Sequence, residues 1–264
     1  MFYNLKIEWL KIKNYRTFWI LAGLFVVSIF GINYIAYAIE HETLQKAPEA
    51  GMILGTSRFL FPDVWGTIAY LSSFLLFIPG LLMIISITNE YSFKTHRQNI
   101  IDGWSRLDFI YVKLADVVIM AICSTVVMFL TALVFGIASG GFSSFSFLGS
   151  VYVFYFFIQA LSYIAVALLF GILFKRSGIA IGVFFLYAVV IENLLAGILN
   201  RYAGGIGSFL PLESTDNLIP FPFIKNVVDQ IIKRPNPTYL LLAACIYLLF
   251  YFFFSKKKFQ TDDL

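Results

Sequence analysis

Six long stretches of this chain hold only two charged residues between them, Asp116 and Glu192: positions 17–39, 64–88, 114–139, 147–174, 178–199 and 238–254. A helix rises about 1.5 Å per residue and a bilayer's hydrocarbon core is about 30 Å thick, so about 20 apolar residues cross it. Each stretch is therefore expected to form a spanning helix. The shortest ends in the aromatic run Phe250 to Phe254, which suits a membrane interface. Composition agrees. Of 264 residues, 60% are hydrophobic and only 13% are charged, too few to cover a soluble domain of this size. A mean hydropathy of +0.84 and thirty Phe exclude an ordinary soluble α/β fold. The first apolar run, from Phe18 to Ala38, is long enough to stay as a span rather than serve as a cleaved leader.

Lys and Arg set the expected orientation. With the N-terminus inside, thirteen of the nineteen basic residues fall on the cytoplasmic side: Lys6 to Arg16, Lys94 to Lys113, Lys175-Arg176 and Lys256 to Lys258. The outer side keeps Lys46, Arg58, Arg201, Lys225, Lys233 and Arg234. The shortest connections are the most biased, since Lys175-Arg176 faces an uncharged loop at 140–146. Both termini are thus expected in the cytoplasm. The expected architecture is all-α and integral to the membrane, one transmembrane domain over 1–264.

Four segments lie between or before the spans. Residues 1–16 place Phe2, Leu5, Trp9 and Ile12 at helical spacing, with Asn4, Glu8 and Lys11 opposite and Lys6 and Lys13 flanking. That pattern predicts a short helix lying in the cytoplasmic interface. The loop at 40–63, with Pro48, Gly51 and Gly55, offers no chemistry. Residues 89–113 predict a short amphipathic helix with Phe93, Ile100 and Trp104 on one side. The turn-forming Asp102-Gly103 ends it. Ser105-Arg106-Leu107-Asp108 then fits a capping box that launches the third span. The outer segment 200–237 is long and half apolar, with Pro211, Pro220, Pro222, Pro235 and Pro237. Its apolar pieces, 209–212 and 218–224, could dip into the outer leaflet as broken helices where protein covers them.

Catalytic signatures are missing. No G-x-x-x-x-G-K-[ST] run could cradle nucleotide phosphates, and neither H-E-x-x-H nor G-x-S-x-G occurs. Two His and two distant Cys cannot build a zinc site. Cys123 and Cys245 are expected as small buried hydrophobes. Asp116 is expected as a solvated carboxylate at the start of the third span, and Asp63 and Glu213 as solvated groups at the outer boundary. Glu192, followed by Asn193, sits inside the fifth span. A carboxylate there costs a few kcal/mol unless paired or hydrated, so it is expected to face a substrate path, a subunit contact or a structural hydrogen bond.

The cytoplasmic stretch NEYSFKTHRQNIIDGWSR, residues 89–106, resembles the segment after the second span of type-2 ABC (ATP-binding cassette) exporter permeases. Those carry an acidic residue, a Thr, a polar helix, a small residue with Ser-Arg, and a Lys, which Glu90, Thr95, Gly103, Ser105, Arg106 and Lys113 match. Lys94 stands where that family often has Gly. Glu8-Trp9-Leu10-Lys11 followed by Arg16-Thr17 is also similar, as is the layout of the whole chain.

The resemblance implies that a separate soluble ATPase carries ATP and Mg²⁺ while this chain holds no cofactor. It implies that Glu90, Lys94, Thr95, Arg97, Gln98, Gly103, Ser105 and Arg106 form the coupling segment that seats in that ATPase. It further implies a second permease subunit, identical or homologous. The spans themselves predict a multi-pass location in a bacterial inner (plasma) membrane with no role for nucleic acid, and their aromatic content suits an amphipathic or apolar cargo such as a lipid, peptide or drug-like molecule. Two other classes remain open at this point. One is a nucleotide-independent channel, carrier or scaffold. The other is an intramembrane enzyme, for which Glu192 lacks a visible polar partner.

Overall fold

The computed structural model describes residues 2–46, 57–222 and 235–261, and these are helical with no strand among them. Helix α1 (Phe2–Lys13) leads into α2 (Arg16–Lys46). Helices α3 (Val64–Ser73) and α4 (Phe77–Ser92) follow, then the short α5 (Thr95–Ile101) and the long α6 (Arg106–Gly140). Helix α7 covers Val151–Phe174 and α8 covers Ser177–Tyr202. A 3₁₀ turn, Ile206–Phe209, and the one-turn α9 (Glu213–Asp216) precede α10 (Pro237–Thr261). Five helices are long and apolar enough to cross a membrane, and six if the bent pair α3–α4 counts as one.

Helix α7 is the hub. Of its most apolar stretch 72% is buried, against no more than 33% in the other four long helices. It packs on α3, α4, α6, α8 and α10. Close approach needs a small residue where α4 crosses it, and Gly171 supplies one: a Cβ there would run into the Ile87 side chain. The bundle's outer face is apolar too. Val27 and Ile246, among many others, are exposed, as expected of helices that meet lipid rather than water. Apolarity therefore does not mark burial here. Cys123 and Cys245, expected inside, both face outward.

Several helix bounds differ from the apolar stretches. The second stretch is not one straight helix: α3 and α4 meet at a 45° bend across Phe74–Leu76. Pro79 accounts for it, because a prolyl ring has no N–H for the carbonyl four residues back and collides with it. That carbonyl belongs to Leu75, inside the break. Helix α2 continues through a polar turn to Lys46, supported by the Lys46–Glu42 pair. Helix α10 runs past 254 through Lys256 to Lys258, because Phe259 stacks on Phe109 of α6 at 4.6 Å. Within α8 one π-helical turn, Leu186–Ile191, interrupts the α pattern. Pro48, Gly51, Gly55, Lys225, Lys233 and Arg234, and the end of the apolar piece 218–224, lie outside the described residues.

Candidate functional site

Five charged side chains meet where α1, α4 and α6 converge. Lys113 of α6 is 0% exposed, and its ammonium donates to Glu8 of α1 and, at 3.1 Å, to Glu90 of α4. Asp116, one turn on, lies 3.8 Å from the same nitrogen. Lys11 of α1 reaches both carboxylates as well, at 2.8 Å to Glu8 and 2.9 Å to Glu90. Thr95, the first residue of α5, donates its hydroxyl to the second Glu90 oxygen. His96 Nδ1 lies 2.8 Å from the Glu90 carbonyl. Burying one ion costs several kcal/mol, and only mutual pairing with hydrogen bonds on the remaining oxygens offsets that. Two cations shared between Glu8 and Glu90, with Thr95 on the remaining Glu90 oxygen, meet the condition, while Asp116 Oδ2 keeps only its 3.8 Å approach to Lys113. The cations and the Thr95 hydroxyl together tie four helices into one node.

Local sequence sets this geometry. Helix α4 ends at Ser92, and Lys94 turns the chain with φ +57°, a left-handed conformation that L side chains adopt at a cost and glycine adopts freely. This is the position where the resembling family often has Gly. Helix α5 closes at Gly103, whose φ of +101° suits the expected turn; the Trp104 amide then donates to Asn99 at 3.0 Å. Ser105 caps α6 as expected: its Oγ accepts from the Asp108 amide at 3.0 Å, and Asp108 accepts from the Ser105 amide at 3.1 Å. Arg106 donates to the Gln260 carbonyl at 2.6 Å, fastening the start of α6 to the end of α10.

On α5 the spacing i, i+3, i+4, i+7 selects Lys94, Arg97, Gln98 and Ile101, and all four are exposed. His96 and Asn99 point inward. Phe93 and Ile101 stand 74% and 77% exposed at either end of this face. An apolar pair flanking a basic and an amide group makes a protruding knob.

The residues singled out from sequence thus divide. Lys94, Arg97 and Gln98 are on the exposed face. Glu90 and Thr95 are not; they belong to the internal node. Gly103, Ser105 and Arg106 shape the chain around it. Two expectations are corrected here. Asp116 is buried rather than solvated. Among the described side chains of α1 the most buried is Glu8, from its polar face, while Trp9 is exposed. Residues Glu8, Lys11 and Asp116 join the node although the motif did not include them. A Lys–Asp pair spaced i, i+3 at the mouth of a span was the available signal.

A second polar site lies at the other end of the bundle, since α8 starts beside the node, where Lys175 sits over the Tyr91 ring at 5.5 Å, and Glu192 lies about 20 Å further along it. Glu192 is buried and accepts the backbone amides of Leu212 and Glu213, the latter at 3.1 Å. Its hydrogen-bond partners are backbone amides at the start of α9, which no residue type advertises. The neighbouring Asn193 donates to the carbonyls of Ala188 and Val189, both at 3.2 Å, in the π-helical turn. Glu213, expected to be solvated, is half-buried beside Asp216, and enclosure pushes its carboxyl up.

Residues 4–191 match the protein family described as ABC-2 family transporter protein, well over half of the chain. The chain belongs to that family. It is therefore an ABC-2 type permease, a multi-pass membrane subunit of a transporter. ABC-2 permeases work with an ABC ATPase subunit. No curated protein matches the chain in sequence. The family match covers the node and α5 and stops one residue short of Glu192, so α9 and α10 lie beyond it.

Proposed function

We propose that this ABC-2 permease is the membrane half of an ATP-driven exporter, moving an amphipathic or apolar cargo with energy from a separate ABC ATPase. The supporting observation is the exposed face of α5 set directly on the buried ion node. Lys94, Arg97, Gln98, Phe93 and Ile101 form the surface that seats in the ATPase, which holds ATP and Mg²⁺. Both termini, α1 and α5 lie in the cytoplasm of a bacterial inner membrane, and α1 rests in the interface. A second permease subunit completes the pathway.

Force on α5 reaches the spans through Thr95 and Glu90, then Lys113 at the base of α6 and Glu8 on α1. A soft linkage would dissipate a push of this kind. A largely buried ion node does not, because displacing any one member leaves an unpaired charge.

The test is co-purification and transport. The purified permease alone should hydrolyse no ATP and should capture an ATP-binding subunit from its own cell. Arg97→Glu should weaken that association about tenfold, as expected for one reversed charge at an interface core. Its thermal stability should stay at wild-type level because the side chain is exposed. Transport by the permease in vesicles without nucleotide would overturn the exporter reading. Unaltered association of the Arg97 variant would remove α5 as the docking surface.

A further inference from the structure

The bend and the π-helical turn described within the spans border one cavity together with α9. The bend between α3 and α4 contributes Phe74 and Phe77, the π-helical turn of α8 contributes Ala188 and Val189, and α9 contributes Glu213 and Asp216. Gln159 and Tyr163 of α7 form the back wall. The cavity measures about 600 Å³ and opens at the end of the bundle away from the ion node. Irregular backbone in a membrane protein persists where it lines a site, and π turns concentrate at functional positions.

The polar groups of this cavity lean one way. Asp216 accepts from Gln159 Nε2 at 2.7 Å and from the Tyr163 hydroxyl at 2.9 Å, and no ion pair reaches it from the described residues. Glu213 is held by Asn217 at 2.9 Å. Among the described residues that line the cavity there is no Lys or Arg. The second observation is independent of the carboxylates. Gln159 is only 2% exposed, yet its Oε1 has no hydrogen-bond partner. A buried acceptor left unmade is costly, and such groups are nearly always satisfied in native proteins. The open valences around Asp216 are therefore acceptors, set among the aromatic rings of Tyr70, Phe74, Phe77 and Tyr163.

We propose that this cavity binds the protonated amino group of an amphipathic ligand. The N–H donors meet Gln159 Oε1 and Asp216, and the ligand's apolar body lies on the aromatic wall, where a cation also gains from the ring faces. The proposal deepens the exporter reading by naming its cargo class, and it rests on that reading only for calling the amine a cargo. Asp216 lies between the spans. Enclosure, with Glu213 beside it and Glu192 behind, pushes its carboxyl up to about 7, against the opposing hydrogen bonds from Gln159 and Tyr163. Amine binding should accordingly fade as pH falls through neutrality.

The test uses calorimetry on the whole chain in phosphatidylcholine nanodiscs, with 4-phenylbutylamine as probe, 4-phenylbutanol as its neutral twin and empty nanodiscs as blank. The amine should bind saturably and at least tenfold tighter than the alcohol, and its affinity should fall several-fold from pH 8 to pH 6. Asp216→Asn should lose about tenfold for the amine and nothing for the alcohol. An Asn at this position can still accept from Tyr163 and can donate to Gln159 Oε1, so the fold is retained. Equal affinity for amine and alcohol, or an amine affinity that ignores pH, would overturn the proposal; both are read on the unaltered chain whatever the variant does. No ATPase is present, so failure here leaves the exporter reading intact, and a failed transport assay leaves amine binding intact.

Discussion

Replacing Lys113 by Met keeps an unbranched side chain one atom shorter but leaves Glu8, Glu90 and Asp116 with Lys11 alone. The lost contacts are close: Glu90 lies 3.1 Å and Asp116 3.8 Å from the Lys113 nitrogen. At an effective dielectric of about 20, each such contact is worth about 4–5 kcal/mol of Coulomb attraction. The avoided cost of burying the ammonium offsets much of that, and removing one member of a buried ion cluster leaves a net loss of about 3–5 kcal/mol. For a chain of this size that lowers the melting temperature by on the order of 10 °C. Thermal unfolding of the permease in nanodiscs measures it. Pairing Lys113→Met with Glu8→Gln supplies the control, because the double variant removes an unpaired carboxylate together with the cation. The two substitutions should be non-additive by about 1–3 kcal/mol. A Lys113→Met protein as stable as the wild type, or strict additivity of the pair, would refute the node as a mutually dependent cluster.

Two further outcomes follow from the turns and caps. Lys94→Gly should stabilise the chain by about 1 kcal/mol, since its φ of +57° costs an L residue about that much and the side chain is exposed; a lowered melting temperature would contradict this. Glu192→Ala strips the acceptor from the Leu212 and Glu213 amides, which should cost about 2–4 kcal/mol and speed hydrogen exchange at both, while Glu192→Gln should lose less. Unchanged exchange at those two amides would rule out the clamp.

Much of this protein was legible in the order of its residues because the signals are local. Runs of apolar residues announce the spans, since a bilayer asks only for length and hydrophobicity. Asp102-Gly103 and Ser105 with Asp108 announce the turn and the cap, since their bonds close within four residues. The family likeness was carried by the same short stretch around the second turn. The bend in the second span was written as well, in Pro79, whose missing N–H acts on the preceding turn.

Tertiary structure decided what depends on partners far apart in the chain. Glu90 has the composition of a surface motif, yet Lys113 and Lys11 draw it inside, at separations of 23 and 79 residues. Glu192 found its partners in backbone amides 20 and 21 residues away, and peptide groups look the same in every sequence. Cys123 and Cys245 faced outward because the surrounding phase is itself apolar, so hydrophobicity alone could not say which side of a helix turns in. Periodicity tells a helix where it runs. Which charge meets which, and around what empty space, is settled only when the helices pack.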